Sequence, residues 1–451
     1  MADRATSCPN LIEEVTKRAR GVFLWVYLVV RDLLQGLTNG DSGNLLQSQL
    51  EMFPEDLDEF FRHMVTNVPP MYLRHTARLF EIVKCASEPQ SAIALSFVDE
   101  VEAKPDLAQK ISVEKMDDSE MRWRFDLVRR RLDARSKGLL EITSEDGRDS
   151  YFGSKIDFLH QTVHEFLHRS ESLGAIFQAD SASDSPSTAL VMCAASVTTL
   201  KRAPDFPTDW NIHSPIFGWV RRLDWDAESP EMIMNMLREA EVVHDHVYWI
   251  NASSQDQSTV APRFIEMACA QGVLPFVTSR KQSGENYSTS KHSALDYALQ
   301  STVLHPGIIK TLLDARGDPN AKIGHSTVFR QFMGNIARKE HPEADENIKE
   351  VLRLLLKNGA DVNTTVTDPR AGPNGPLGSQ NCLYGGAKWM EYKPPGRGGN
   401  QQHAWEVIQT RFQEEDLIAM SEMGKKSKSL ESVGVKTTSG NWLRRARSLF
   451  P

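Results

Sequence analysis

The sequence has few cysteines and no excess of charge that would indicate a particular kind of partner. It holds five cysteines in 451 residues, and they are spread along the chain without a paired spacing. We therefore expect neither a disulfide framework nor a thiolate zinc site, and a reducing compartment is favoured. The formal net charge of −8 at pH 7 gives no overall attraction for nucleic acid or for an anionic membrane. Neither is expected as a partner.

Long apolar runs are missing as well. The first twenty residues are polar and charged, without the apolar core of a secretory signal. The most hydrophobic stretch, residues 22–30, is followed at once by Arg31 and Asp32. It is much shorter than the ~20 apolar residues that a membrane span needs. We expect a cytoplasmic chain in which this stretch is a buried helix.

The length allows several domains, and apolar residues at spacings of three and four predict a mainly α fold. The predicted units are a helical arm (9–100), a winged-helix-like unit (118–178), a helical connector (189–258), a short ankyrin-like repeat stack (259–363), a disordered Gly/Pro-rich segment (364–403), and a helix with a basic tail (404–451).

The second of these units is predicted from a change of periodicity. A basic helix over residues 123–132 is followed by two extended apolar runs, residues 139–142 and 151–158, with a turn signal at Glu145–Gly147 between them. A further helix follows, and this order is the outline of a winged helix. The arginines of the basic helix are typical of a solvated face or of one that faces DNA, and the acidic chain favours the first.

Two segments share an apolar helix followed by Gly, Asp and Asn, namely residues 308–320 and 351–363. Gly317 and Gly359 stand where a helix C-terminus favours positive φ. Both segments resemble the second helix and turn of an ankyrin repeat. Residues 293–298 resemble the first-helix motif Thr-Pro-Leu-His-x-Ala of that family, with the first, second and fourth positions changed.

Residues 264–272 are read as a degenerate earlier copy of the same repeat. The distance from Asp318 to Asp361 is 43 residues, about ten more than the usual ~33, and the charged insertion 338–345 accounts for the excess. The resemblance implies a protein partner bound within residues 259–363. The alternative is a pair of unrelated amphipathic helices with glycine caps.

The residues with the clearest chemistry are His164, Glu165 and His168, which form an H-E-x-x-H motif. On a helix the two histidines lie one turn apart and could bind zinc, while Glu165 acts as the base of a metallopeptidase. Residues 169–174 lack the metzincin continuation. The third ligand would then have to come from a distant residue such as Glu228 or Glu231.

The same helix carries a second pattern, since residues 158–167 read F-L-H-Q-T-V-H-E-F-L. They resemble the F-L-H-x-T-x-x-E-F-L segment of the winged helix in NACHT-type (STAND, NLR-like) signalling ATPases, at every fixed position. The resemblance implies that His160 contacts the β-phosphate of bound ADP. It also implies that four apolar side chains are core, namely Phe158, Leu159, Phe166 and Leu167.

Residues 11–37 and 53–61 resemble the helical region that follows the NTPase core in fungal NACHT proteins, so the resemblance covers about residues 9–170. The sequence contains no G-x-x-x-x-G-K-[ST] phosphate loop. We expect no NTPase activity and no cofactor, with His160 a nucleotide contact only if another polypeptide supplies the NTPase core.

The sequence thus indicates a non-catalytic NACHT-like signalling or scaffold fragment, either a truncated gene product or a piece that works beside a full-length NACHT receptor. Its expected partner is a protein, bound through the repeats. The alternative is a zinc-dependent hydrolase that uses His164, Glu165 and His168.

Overall fold

The computed structural model describes residues 8–144, 151, 153–169, 186–203, 213–226, 228–252, 263–282, 294–301, 303–323, 326–338, 345–367, 401–404, 408 and 412. The fold is mainly helical, which confirms the predicted fold class. The chain divides into two compact units, Met1–Phe206 with Gly218–Val243, and Pro207–Phe217 with His244–Pro451. Among the described helices, none has the length and apolar character needed to cross a membrane.

The first part of the chain holds short helices around a small sheet. Its helices are α1 (Cys8–Ala19), α2 (Phe23–Asn39), α3 (Gly43–Met52), α4 (Leu57–Thr66), α5 (Leu73–Cys85), α6 (Ala92–Ser96), α7 (Val98–Ala103), α8 (Leu107–Lys110), α9 (Asp118–Ser136), α10 (Gln161–Arg169) and α11 (Thr188–Arg202), with a 3-10 turn at Pro70–Tyr72. Its strands are β1 (Gln90–Ser91), β2 (Leu140–Ser144) and β3 (Ser154–Phe158). The helices α12 (His213–Val220) and α13 (Pro230–Ala252) follow.

Polar side chains set where several of these helices begin. Asp56 accepts a hydrogen bond from the Glu59 N–H at 2.9 Å, and Asp117 accepts one from the Glu120 N–H at 2.7 Å. Each satisfies a backbone donor that the first turn of a helix leaves free. Helix α2 ends at Asn39, and Gly40, which caps its C-terminus, has a φ of 87°.

The sheet is antiparallel in the order β1-β3-β2, and Ile156 of β3 lies opposite Gln90 on one side and Ile142 on the other. α9, β2, β3 and α10 occur in the order predicted for residues 118–178. The sheet takes its third strand from residues 90–91, before the predicted start of the unit at residue 118. A two-residue strand has no alternating pattern by which the sequence could reveal it.

The charge of residues 101–120 predicts a solvated loop, but the structure differs over residues 101–117. They contain α8, and Ala108 and Met116 are buried. The Glu114 and Met116 N–H groups donate to the carbonyls of Lys201 and Arg202 at 3.1 and 2.9 Å. The segment therefore satisfies carbonyls at the end of α11, a helix that is buried along almost its whole length.

The second part of the chain is built from helix pairs. Its elements are α14 (Phe264–Ala270), α15 (Leu274–Gln282), α16 (Ala294–Gln300), α17 (Pro306–Asp314), β4 (Lys322–Ile323), β5 (Ser326–Thr327), α18 (Val328–Arg338), α19 (Glu346–Lys357), β6 (Thr365–Thr367) and β7 (Gln401–His403). α14, α16 and α18 pack in one row, and α15, α17 and α19 in a second row. Three successive helix pairs are thus stacked.

The starts of the first-row helices, 264, 294 and 328, are 30 and 34 residues apart, close to the ankyrin period of ~33. Residues 264–272, predicted to be a degenerate copy of the repeat, contain α14. The starts of α17 and α19, 306 and 346, are 40 residues apart. The charged insertion 338–345 falls between α18 and α19 and accounts for this longer spacing.

One prediction about glycine is wrong. Gly359 has a φ of 85°, as expected, but in the other repeat the left-handed residue is Arg316, with a φ of 68°. Gly317 is required there for a close approach, because a Cβ on it would lie 2.8 Å from the Leu312 carbonyl oxygen. The Gly317 N–H donates to that same oxygen at 2.9 Å.

The predicted disordered segment 364–403 has paired ends, since β6 and β7 form an antiparallel pair with Thr365 opposite His403. Residues 368–400 lie outside the described residues. Ala404, Ile408 and Phe412 are buried, and the other residues of the helix predicted from residue 404 lie outside the described residues. The predicted basic tail also lies outside the described residues.

Candidate functional site

Helix α10 has one buried face and one face of ionisable side chains. Val163, Phe166 and Leu167 are buried, and the Phe166 ring lies 5.4 Å from the ring of Phe61 on α4. The exposed face carries His164, Glu165 and His168. The apolar periodicity of the helix therefore buries Phe166 and Leu167 and presents the two histidines and Glu165 of the H-E-x-x-H motif to solvent.

The two histidines lie side by side. Their ring centroids are 4.1 Å apart, and His168 Nδ1 donates to the His164 carbonyl oxygen at 2.9 Å. Glu165 accepts a hydrogen bond from Gln161 Nε2 at 3.0 Å, one turn earlier on the helix. His164 and His168 thus offer two neighbouring imidazoles as possible metal ligands. The carboxylate of Glu165 is hydrogen-bonded to Gln161.

A catalytic zinc site needs three protein ligands. In the described part of the chain, no three His, Cys, Asp or Glu side chains come together in a group that could hold a metal. Glu228 and Glu231 are described but do not complete such a group with the histidines. Within the part of the chain that the structure describes, the two histidines are thus an incomplete donor set for zinc.

His160 immediately precedes α10 and is exposed. Its Nδ1 accepts a hydrogen bond from the Thr162 N–H at 3.2 Å, so the imidazole satisfies a donor of the first helical turn. The Leu159 N–H donates to the Leu139 carbonyl at 3.0 Å, which ties this position to the start of β2. Of the four side chains that the NACHT resemblance assigns to the core, Phe166 and Leu167 are buried, while Phe158 and Leu159 are half-buried.

An arginine clamp, which the sequence did not predict, holds α2 against the end of α9. Arg31 donates from Nη1 to the Gly138 carbonyl at 3.0 Å and from Nη2 to the Lys137 carbonyl at 2.5 Å. Lys137 and Gly138 have φ values of 52° and 75°. This left-handed turn directs both carbonyls towards the guanidinium of Arg31. The next residue is Leu139, whose carbonyl accepts the hydrogen bond from the Leu159 N–H. A glycine such as Gly138 predicts the end of a helix from the sequence alone. The sequence does not predict that its carbonyl binds an arginine 107 residues away.

The basic helix α9 directs several arginines inwards. Arg135 pairs with Asp99 through two hydrogen bonds of 2.9 and 2.7 Å, and Arg131 lies 2.9 Å from the same carboxylate. Burial opposes ionisation of Asp99, but the two arginines outweigh it and hold the pKa of that carboxyl below its ordinary value. Arg124 is buried against the ring of Phe97 at 3.7 Å. Arg122, Arg129 and Arg130 remain exposed, a smaller basic surface than the sequence suggested.

A cavity of about 30 Å³ lies next to this ion-pair cluster, with His75, Asp99, Arg131 and Arg135 in its lining. That volume accommodates about one water molecule. It is far below the several hundred Å³ typical of a substrate pocket.

In the repeat stack, one asparagine connects two successive turns. Asn320 Nδ2 donates to the Gly359 carbonyl at 2.8 Å, and Asn320 Oδ1 accepts from the Asp361 N–H at 2.8 Å. Each turn is also closed in the same way: Asp318 accepts from the Asn320 N–H, and Asp361 accepts from the Asn363 N–H. The Gly-Asp-Asn pattern therefore produces equivalent turns that lock together.

The stack has two unequal faces. Every described position of α14 is buried, as are residues 294–299 of α16. Exposed side chains of the second row lie on α15, α17 and α19, and we call the following set the outer face: Leu274, Lys310, Asp314, Glu350 and Lys357. A partner that binds the stack through its helices would have to contact this outer face.

Two acidic side chains are buried in the first row, Glu266 on α14 and Asp296 on α16. Burial raises the pKa of Asp296 to about 6, with a hydrogen bond from Gln300 acting in the opposite direction and the charge of Glu266 adding to the rise. The stack therefore contains a carboxyl group whose pKa lies well above that of an exposed aspartate.

Comparison with known proteins finds a family that matches part of the chain. Residues 67–209 match a family described as a domain of unknown function (DUF7791). The matched region runs from before α5 to beyond α11, so it contains the sheet and α10 but not the repeat stack. No curated protein and no solved structure matches the chain.

Proposed function

We propose that this protein is a non-catalytic, NACHT-like signalling or scaffold protein of the cytoplasm that binds a protein partner through its ankyrin-like stack. The observation that carries the proposal is the stack of three helix pairs, whose successive turns are joined through Asn320. Such stacks bury a continuous core and offer an extended surface to a partner. The surface available on this stack is the outer face.

The NACHT resemblance assigns a second role to the first unit. His160 is exposed at the N-terminus of α10, where backbone N–H groups favour a negatively charged ligand. Because the sequence contains no phosphate loop, we propose that His160 meets a nucleotide only when a full-length NACHT receptor brings one. The chain alone is then expected to bind no ADP.

The alternative function is a zinc-dependent hydrolase, which the adjacent rings of His164 and His168 favour. Two observations argue against it: no third ligand joins the histidines among the described residues, and Glu165 accepts a hydrogen bond from Gln161. In this alternative, Glu165 would activate a zinc-bound water.

Metal analysis of the purified full-length protein separates the two functions. We expect far less than one zinc per chain, no peptide cleavage, and an unchanged melting temperature after treatment with a chelator. The double substitution His164→Ala and His168→Ala should shift stability by less than about 0.5 kcal/mol, because both side chains are exposed. Stoichiometric zinc that this double variant loses, with cleavage that Glu165→Gln abolishes, would establish the hydrolase instead.

A further inference from the structure

Helix α2 carries apolar side chains on two opposite faces. One face is buried in the first unit and includes Trp25, Leu28 and Leu33. Five large apolar side chains point away from that core, and we call them the α2 stripe: Phe23 (88% exposed), Tyr27 (53%), Val30 (39%), Leu34 (56%) and Leu37 (55%). The sequence predicted a buried helix here, and the structure buries only one side of it.

The spacing within the stripe is 4, 3, 4 and 3 residues. This is the repeat by which two helices pack side chains into each other along a coiled-coil seam. A helix that is apolar on all sides is normally covered on all sides. The stripe therefore has the pattern of a surface that another helix covers.

The stripe is also large. With about 200 Å² for a fully exposed aromatic side chain and about 150 Å² for an aliphatic one, it exposes about 500 Å² of apolar surface. That equals the largest apolar patch of a typical monomer, and patches of this size commonly mark interaction sites.

Charge does not oppose the approach of an identical surface. None of the five stripe residues is charged. The neighbouring Arg31 is held by the carbonyls of Lys137 and Gly138, and Asp32 pairs with Arg31 at 3.4 Å. Two copies would thus meet without placing like charges in contact.

We propose that the α2 stripe is a self-association surface that binds the stripe of a second copy of this chain. Val30 is the middle residue of the stripe, seven residues from both Phe23 and Leu37. An antiparallel pair centred on Val30 would place Phe23 opposite Leu37 of the other copy, and Tyr27 one residue away from the position opposite Leu34. The smallest side chain of the stripe then lies on the two-fold axis, where two crossing helices approach most closely.

The small area buried between two stripes indicates a weak association. Two stripes together bury about 1,000 Å², which is the lower limit for a specific interface. The dimer is therefore weak and depends on concentration. The stripe lies in the first unit, so this inference is independent of partner binding by the repeat stack.

Sedimentation velocity of the full-length protein from about 1 to about 100 μM tests the proposal. We expect wild type to shift from monomer to dimer across this range. Leu34→Glu should raise the dissociation constant at least tenfold, because dimerisation would bury its charge. The matched control is Val242→Glu, which places the same charge at an apolar position that is 65% exposed on α13, and it should associate like wild type.

A cysteine at the axis provides a second measurement. Under mild oxidation, Val30→Cys should form a disulfide-linked dimer that wild type, with its own cysteines, does not form. Circular dichroism confirms that each variant is folded. A wild type that stays monomeric at the highest concentration, equal association by Leu34→Glu, or no cross-link at Val30→Cys would overturn the proposal.

Discussion

Gly138 shows how one backbone conformation determines where a distant helix attaches. Its φ of 75° and the preceding turn direct two carbonyls towards Arg31. A Cβ at this position would lie 1.4 Å from Arg31 Nη1, so any side chain must displace the guanidinium. The attachment of α2 to α9 therefore depends on Gly138, for which the sequence predicts only that a helix ends there.

We expect Gly138→Ala to reduce the free energy of unfolding by about 2–3 kcal/mol, from backbone strain together with the lost arginine hydrogen bonds. The matched control is Gly40→Ala, at a φ of 87° with nothing within 4 Å of the added Cβ. Gly40→Ala should reduce the free energy of unfolding by about 1 kcal/mol, from backbone strain alone. Urea unfolding of the full-length protein measures both, and equal losses would show that the clamp contributes nothing.

Asp296 gives the stack a pH dependence with a defined sign. Its pKa is raised from 3.8 to about 6 in the folded protein, so the folded state binds more protons than the unfolded state between these values. The stability contributed by this group is therefore present at low pH and falls as the pH rises from about 4 to about 6. At neutral pH a buried carboxylate remains.

Asp296→Asn should remove the free-energy cost of burying this carboxylate. We expect the variant to exceed wild type in stability by up to about 3 kcal/mol at pH 7 and to match it near pH 4, as judged by urea unfolding at both values. Asp314→Asn, at an exposed position of α17, is the control and should show no such change. A variant that is less stable than wild type by the same amount at both pH values would contradict the assignment.

At the scale of elements, the long periodic helices were predictable and the features that depend on distant contacts were not. α9, α17 and α19 follow apolar spacing, and the two Gly-Asp-Asn turns were visible in the sequence. The two-residue strand β1 has no pattern of its own. The exposed stripe of α2 was also hidden, because periodicity cannot tell an apolar face that packs from one that stays in solvent.

The candidate site was predictable to a similar degree. The motif correctly placed His164 and His168 one turn apart on a helix, since that follows from helical spacing alone. Whether a third ligand joins them depends on tertiary structure, which one sequence does not reveal. The Asn320 bridge likewise joins positions 39 and 41 residues apart.

That bridge supports a test of the stack as a cooperative element. Asn320→Ala removes both hydrogen bonds between the two turns and leaves the Gly359 carbonyl and the Asp361 N–H without this partner, so we expect a loss of about 1–3 kcal/mol. The matched control, Asn358→Ala, removes a local bond to the Leu354 carbonyl at an exposed position and should cost less than about 1 kcal/mol. Thermal unfolding compares them; equal effects would mean that the turns do not stabilise each other.

At the scale of the whole molecule, the two units carry different kinds of surface. The first contains the sheet, the α10 histidines and the α2 stripe, and several of its arginines form internal ion pairs. The second contains the repeat stack with its outer face. We propose that partner binding belongs to the second unit and that the outer face makes the contact.

The most direct test of this claim is quantitative capture of partners by the full-length protein and by two charge-reversed variants. One variant combines Lys310→Glu with Lys357→Glu on the outer face. The other combines Arg122→Glu with Arg129→Glu, an equal change of charge at exposed positions of α9. We expect the outer-face variant to capture at least about tenfold less of a partner than wild type, and the α9 variant to capture as much of it as wild type. Equal retention by both variants, or loss only from the α9 variant, would contradict the account.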